Sequence, residues 1–170
     1  MRERTRKVYT LEKLAEIRRR LKGLGKKVVF TNGCFDLLHA GHVRLFHEAK
    51  KLGDVLIVAL NNDASVRRLK GPTRPIFPLR ERFEILAAVA DIDYLTSFGE
   101  PTPQKTIAAL LPDVLVKGGD WRKKGGAVGQ DFVESYGGRV ALVDLVSTVS
   151  TTDIISRVLA RSRTPGKKKK

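Results

Sequence analysis

Apolar residues along the chain recur at two spacings, one typical of amphipathic helices and the other of buried strands. In the range 11–21 they recur every three or four residues, which predicts a helix with Thr10 as a candidate N-cap. The ranges 28–30 and 55–60 are continuous apolar runs without polar alternation. Such runs are typical of strands covered on both faces, as in a parallel sheet.

The same pattern alternates along the rest of the chain. Further helices are predicted over 39–52, 63–69, 79–90, 103–111, 129–136 and 151–161, and further strands over 94–96, 114–116 and 139–143. Short strands that alternate with helices predict an α/β fold, a doubly wound parallel sheet in a single domain. Ligands bind such sheets at the carboxyl ends of the strands, so functional residues are expected just after these ends.

Length and composition agree with one globular domain. The chain has 170 residues, 42% of them hydrophobic, which is enough to bury a core. Cys34 is the single cysteine, so a disulfide framework is excluded and a reducing compartment is favoured. No apolar run has the length of a membrane span, and the N-terminus leads into no apolar stretch of a signal peptide. We therefore expect a cytoplasmic protein.

The net charge of +15 is concentrated at the two ends of the chain. Residues 1–27 hold 11 basic and 3 acidic side chains, and residues 161–170 hold 6 basic and none acidic. The remainder, 28–160, has 16 basic and 15 acidic side chains, a net charge of +1. We expect a basic N-terminal helix region (1–27), a near-neutral functional domain (28–160) and a disordered basic tail (161–170). The ends would bind nucleic acid or anionic lipid only weakly and without specificity.

The segment 31–42, Thr-Asn-Gly-Cys-Phe-Asp-Leu-Leu-His-Ala-Gly-His, follows the first predicted strand. His39 and His42 lie three residues apart at the start of a predicted helix, which places them on one face. Gly41 between them allows a ligand to approach the backbone, and a helix N-terminus favours a phosphate group. Asp36 is expected to cap the following turn and so position the histidines. Neither a dinucleotide-binding glycine motif nor a P-loop occurs in the chain.

These residues alone leave alternatives open. Two histidines at this spacing also occur as ordinary surface or capping residues. A zinc site is disfavoured because Cys34 and His47 complete no familiar ligand spacing, so no protein-held metal is predicted.

The whole segment resembles the signature G-x-F-D-x-x-H-x-G-H of the nucleotidyltransferases that contain an H-x-G-H motif, with all six fixed positions matched. Further segments are similar to one branch of that superfamily, the heptose 1-phosphate adenylyltransferases, which occur fused to a sugar kinase or as separate chains. These segments are 61–63, 69–76, 82–86, 116–121 and 150–155. No kinase domain is present in the sequence, so the separate form is expected.

The resemblance implies transfer of AMP from ATP, with Mg²⁺, to a sugar 1-phosphate, with release of pyrophosphate. His39 and His42 would serve the α-phosphate and the departing pyrophosphate. Lys70, in a Gly/Pro-rich loop, and Arg82, near a helix start, would neutralise the polyphosphate. The alternative for Arg82 is a surface position in which the aliphatic part of its side chain only packs against neighbouring residues.

The resemblance also implies a nucleotide-binding set. Its members are Thr31, Gly33, Phe35, Gly41, Lys117, Gly118, Asp120, Ser150, Thr151 and Thr152. Ser150, Thr151 and Thr152 would hold the β- and γ-phosphates at the start of the last helix, where an N-cap is the simpler interpretation.

Other functions stay open at this point. The same scaffold serves glycerol 3-phosphate or phosphoethanolamine with CTP, and pantetheine phosphate or flavin mononucleotide with ATP. A basic module that binds RNA or membranes would account for the charged ends but not for the intact H-x-G-H signature. A degenerate, structural relative would have lost motif positions, and none is lost. The resemblance also leaves a homodimer open.

Overall fold

The computed structural model describes residues 7–118, 128–143 and 150–162. Its helices are α1 (Leu11–Gly23), α2 (Ala40–Lys50), α3 (Asp63–Lys70), α4 (Leu79–Ala87), α5 (Gln104–Leu110), α6 (Gln130–Ser135) and α7 (Thr151–Ser162). Its strands are β1 (Val28–Gly33), β2 (Val55–Asn61), β3 (Tyr94–Phe98), β4 (Val114–Gly118) and β5 (Arg139–Val143). Each of them overlaps a predicted range.

The strands of the described residues form one parallel sheet in the order β3-β2-β1-β4-β5. Strands β2 and β3 follow β1 on one side, whereas β4 and β5 lie on the other. The strand order therefore reverses between β1 and β4, and the loops that leave their carboxyl ends diverge there. Sheets of this kind bind their ligands in that crevice.

Helices cover both faces of the sheet, as the sequence predicts. On one face, Phe46 of α2 and Leu86 of α4 pack with alternate residues of the central strands, such as Val29. On the other face, Leu14 of α1 and Ile107 of α5 pack with the residues between them. Helix α1 shares this second core, because Leu14 is fully buried within it.

Arg18 joins α1 to the loop before β4. Its guanidinium donates to the carbonyl oxygens of Leu110 and Leu111 and to the carboxylate of Asp113. In the described ranges, no helix is long and apolar enough to span a bilayer. Residues 163–170 of the predicted tail lie outside the described residues.

Candidate active site

The loop after β1 is shaped by an aromatic ring that lies over a glycine. Phe35 has a left-handed backbone (φ 46°), and this turns its side chain back over the strand end. A Cβ atom on Gly33 would lie only 2.9 Å from Cζ of Phe35, so a larger residue would displace the ring. The ring also meets those of His42 and Phe46 at centroid distances of 5.2 and 5.1 Å. The Phe35 ring therefore packs against His42, and Gly33 leaves the space that the Phe35 ring occupies.

The two predicted histidines lie against each other at the start of α2. His39 is the N-cap residue but makes no side-chain capping bond, and the rings are stacked 3.8 Å apart with an interplanar angle of 26°. Nδ1 of each ring is buried without a hydrogen-bond partner among the described residues, whereas Nε2 of each is not buried. The rings therefore direct their Nε2 edges outward beside the helix N-terminus, where Gly41 is buried in the first turn.

Burial keeps both imidazoles neutral at neutral pH. Desolvation lowers the pKa of His42 to about 4, and the neighbouring His39 adds to this effect. Desolvation also lowers the pKa of His39. A neutral imidazole has one N–H group, so a proton on Nε2 makes each ring a hydrogen-bond donor to an external oxygen.

Asp36 is buried and anchors a distant loop instead of capping the following turn, so the expected cap is wrong. Its carboxylate accepts hydrogen bonds from Nε of Arg74 and from the backbone N–H groups of Ile76 (2.6 Å) and Phe77 (3.2 Å). The loop between α3 and α4, residues 71–78, is thereby tied to the histidine-bearing segment. Because these partners are remote in sequence, only the tertiary structure reveals them.

Arg82 is buried within the same junction. Its guanidinium donates to the carbonyl oxygens of Cys34 (2.7 Å), Asn61 (2.8 Å) and Phe77 (3.0 Å). It also forms an ion pair with Asp63 at 2.7 Å. These bonds use four of the five N–H donors of an arginine. Arg82 thus joins the ends of β1 and β2 to the loop 71–78, and a direct phosphate contact stays a prediction.

Lys70 is the exposed last residue of α3, one residue before the loop in which the sequence placed it. Burial raises the pKa of the Cys34 thiol, and the positive charges of Lys70, Arg82 and Arg74 oppose this effect. Lys70 is therefore close enough to the segment after β1 for its charge to act there.

Lys117 lies near the end of β4, at the crevice where the strand order reverses. It is 3% exposed and donates from Nζ to Oδ1 of Asn32 at the end of β1. Desolvation lowers the pKa of Lys117 to about 8. Gly118 ends β4 beside it, and the predicted Asp120 lies outside the described residues. Asn32 was not among the predicted site residues, and no local sequence signal marks its bond to Lys117, which lies 85 residues away.

The start of α7 is a capping box. Ser150 donates from its backbone N–H and its hydroxyl to the Asp153 carboxylate, and the N–H of Asp153 donates back to Oγ of Ser150 at 3.2 Å. Thr151 is half-buried and Thr152 is exposed. The simpler N-cap interpretation is confirmed for Ser150. Among the residues that the structure describes, no hydrogen bond joins Thr151 or Thr152 to the histidines. Their phosphate-binding role stays a prediction.

Comparison with known proteins agrees with this fold. The family model described as cytidylyltransferase-like matches residues 30–157. The bifunctional protein HldE of Syntrophotalea carbinolica is 56% identical over 152 residues, which are 89% of this chain and 30% of that protein. The bifunctional protein HldE of Trichlorobacter lovleyi is 55% identical over 155 residues, covering 91% of this chain and 31% of that protein. The chain spans about a third of the length of these relatives.

Solved structures show the same architecture. The lipopolysaccharide core biosynthesis protein of Thermoplasma volcanium GSS1 is 29% identical and aligns with a TM-score of 0.58 over 74% of this chain and all of its own. Pantoate-beta-alanine ligase from Francisella tularensis, 19% identical, aligns with a TM-score of 0.62 over 87% of this chain and 75% of its own. The second likeness concerns the fold alone.

The parallel sheet with a histidine pair at its carboxyl edge fits the H-x-G-H resemblance of the sequence. The chain belongs to the cytidylyltransferase-like family. It is an enzyme of the nucleotidyltransferase class.

Proposed function

We propose that the protein transfers AMP from ATP to heptose 1-phosphate, forming an ADP-heptose and releasing pyrophosphate. The observation that carries the proposal is the stacked pair His39 and His42, whose Nε2 edges face outward at a helix start. The comparisons support the proposal because more than half of the aligned residues are identical to those of two bifunctional HldE proteins. The choice of heptose 1-phosphate as the acceptor rests on the segments that resemble heptose 1-phosphate adenylyltransferases.

The reaction needs no protein nucleophile. An oxygen of the sugar phosphate attacks the α-phosphorus of ATP, and the bond from that phosphorus to the oxygen bridging to the β-phosphate breaks. The bonding electron pair leaves with pyrophosphate. Because the attacking group is already an anion, the site has to align the reactants and stabilise the charge that grows on the phosphate oxygens. Neutral Nε2–H donors of His39 and His42 would supply that stabilisation.

The other predicted residues are assigned supporting roles in this proposal. Lys70 would neutralise the polyphosphate, since its charge already reaches the segment after β1. Arg82 would act on the phosphates chiefly by holding the loop 71–78 in place. The nucleotide would be bound by the set Thr31, Gly33, Phe35, Gly41, Lys117, Gly118, Asp120, Ser150, Thr151 and Thr152.

Mg²⁺ would arrive with ATP and be held by its phosphate oxygens. Within the described ranges, no three His, Cys, Asp or Glu side chains are grouped to hold a metal ion. We assign the ion to the substrate complex, MgATP, because phosphate oxygens are the ligands that Mg²⁺ prefers. A cytoplasmic location and a homodimer are likewise proposals, and neither is needed for the chemistry.

Product analysis tests the function. The protein would be incubated with Mg²⁺, with ATP or CTP, and with a panel of acceptors, and the products would be identified by mass spectrometry. The panel is heptose 1-phosphate, glycerol 3-phosphate, phosphoethanolamine, pantetheine phosphate and flavin mononucleotide. The proposal predicts ADP-heptose and pyrophosphate as the dominant products. A dominant CDP- or ADP-product of another acceptor would overturn the substrate assignment and leave the reaction class intact.

A further inference from the structure

Arg74, which the sequence analysis did not assign to the site, has an unusual environment for an arginine. Its side chain is only 13% exposed, and Nε is bonded to the buried carboxylate of Asp36. Arginine on a surface loop is normally solvated, so this burial needs a reason. Asp36 supplies part of it, because the ion pair offsets the cost of removing the two charges from water.

The outer half of the Arg74 guanidinium has no such partner. Among the described residues, no hydrogen bond joins Nη1 or Nη2 to an acceptor, and neither atom is buried. Arg82 has the opposite environment, since most of its donors are used within the protein. Of these two arginines, Arg74 therefore has the open fork of N–H groups.

The fork is tied, through Asp36, to the loop that carries the two histidines. Asp36, which holds it, is three residues before His39 in the loop that leaves β1. The charges of Arg74 and Lys70 both act on the thiol of Cys34 in that loop. Within the described residues, Arg74 and Arg82 are paired with Asp36 and Asp63, while Lys70 has no ion pair. One positive charge is in excess, so the cluster favours an anion.

We propose that Arg74 binds a phosphate group of a substrate through Nη1 and Nη2, with Asp36 fixing the plane of the guanidinium. A planar fork matches two oxygens of one phosphate, which a lysine ammonium cannot do. The inference rests on the proposed function for the identity of the phosphates, which belong either to the acceptor or to the nucleotide. It explains why a loop arginine is buried and tied to the segment that carries the histidines.

Titration calorimetry on the full chain tests the inference without relying on turnover. Affinities for heptose 1-phosphate, MgATP and inorganic pyrophosphate would be measured for wild type, Arg74→Lys and Arg74→Gln. Arg67→Gln is the matched control, because Arg67 is an exposed arginine of α3 without a recorded ion pair. Loss of a charge-assisted bidentate contact should weaken one class of ligand by about 10- to 100-fold in both Arg74 variants. The control should bind as wild type does.

The ligand that is weakened identifies the source of the phosphate. Weaker binding of heptose 1-phosphate alone assigns the fork to the acceptor, whereas weaker binding of MgATP and pyrophosphate assigns it to the nucleotide. Unchanged affinities for all three ligands would overturn the proposal, even with a lowered melting temperature, since Arg74 would then only hold the loop. Full affinity in Arg74→Lys would overturn the bidentate contact. If wild type bound no heptose 1-phosphate, the proposed acceptor would fail, and the MgATP and pyrophosphate titrations would still decide the role of Arg74.

Discussion

At the scale of single residues, the proposed chemistry depends on how His39 and His42 are held. Their Nδ1 atoms are buried without partners among the described residues, an arrangement that costs stability and does nothing for the packing of the sheet. The His42 ring meets the Phe35 ring edge to face and stacks on the His39 ring. The pair is thus fixed with its Nε2 edges outward before any substrate binds, which is what stabilisation of a developing charge requires.

Removal of either ring should lower turnover far more than stability. We expect His39→Ala and His42→Ala each to lower kcat by about 100-fold, equivalent to about 3 kcal/mol of lost transition-state stabilisation. His47→Ala is the control, since this third histidine is exposed and its ring lies 3.4 Å from the carboxylate of Asp91. Steady-state kinetics with saturating substrates and thermal melts measure the two quantities. Near wild-type turnover in either variant would show that the mechanism is wrongly assigned.

The lowered pKa of His42 should make the free energy of unfolding depend on pH. Above pH 6.5 the ring is neutral in both states. Between pH 6.5 and about 4 the unfolded chain binds a proton that the native chain does not, so stability falls as the pH falls. The loss attributable to His42 is about 3 kcal/mol at the lower limit.

Urea denaturation of wild type and His42→Gln at pH 7.5 and pH 4.5 measures this contribution. The variant should lose less stability than wild type between the two pH values, because the carboxylates titrate alike in both proteins. Equal losses would mean that the native ring takes up its proton at the ordinary pKa.

At this scale, the sequence predicts those functional side chains that lie close together along the chain. The H-x-G-H segment is local, so spacing alone places both histidines on one helix face. The partners of Asp36 are not local, because Arg74 is 38 residues away in a loop whose path depends on the whole fold. Asn32 and Lys117 likewise meet only because β1 and β4 are neighbours in the sheet.

At the scale of elements, the loop 71–78 is held against the segment that carries the histidines. Asp36 holds its middle, and Arg82 bonds to the carbonyl oxygen of Phe77 near its end. Asp63 at the start of α3 accepts from the backbone N–H of Leu79 at the start of α4. These bonds hold the loop at its middle and at its end.

Breaking this junction should destabilise the protein. Arg82→Met removes the donors of three carbonyl oxygens and the partner of Asp63, and we expect a loss of about 3 kcal/mol or more. Arg80→Met, which removes an exposed ion pair with Glu84, should change stability by less than about 1 kcal/mol. Urea midpoints measure both. A loss no larger for Arg82 than for Arg80 would contradict the structural role.

Element positions could be predicted because apolar periodicity is a local signal of burial. Element ends were predicted less well where tertiary contacts decide them. Strand β1 continues to Gly33, three residues beyond the apolar run, since its polar end pairs with β2. Helix α4 ends at Ala87 although apolar residues continue to Ala90, because the backbone already turns there toward β3.

At the scale of the whole molecule, the charge and the fold are separated along the chain. Residues 28–160 carry a net charge of +1, while the tail ends in four lysines. Deletion of 164–170 should therefore leave turnover nearly unchanged and weaken any salt-sensitive retention of RNA. Turnover and RNA retention of both chains at two salt concentrations test this. Loss of turnover with an unchanged melting temperature would place the tail in the active site.

The central claim is that an oxygen of the acceptor phosphate attacks the α-phosphorus of ATP. Heptose 1-phosphate carrying ¹⁸O in its three non-bridging phosphate oxygens tests it in one reaction with unlabelled MgATP, analysed by mass spectrometry. The account predicts an ADP-heptose that retains all three labels, one of them in the new bridge, together with unlabelled pyrophosphate. Label in the pyrophosphate, or consumption of ATP with no labelled ADP-heptose, would contradict it.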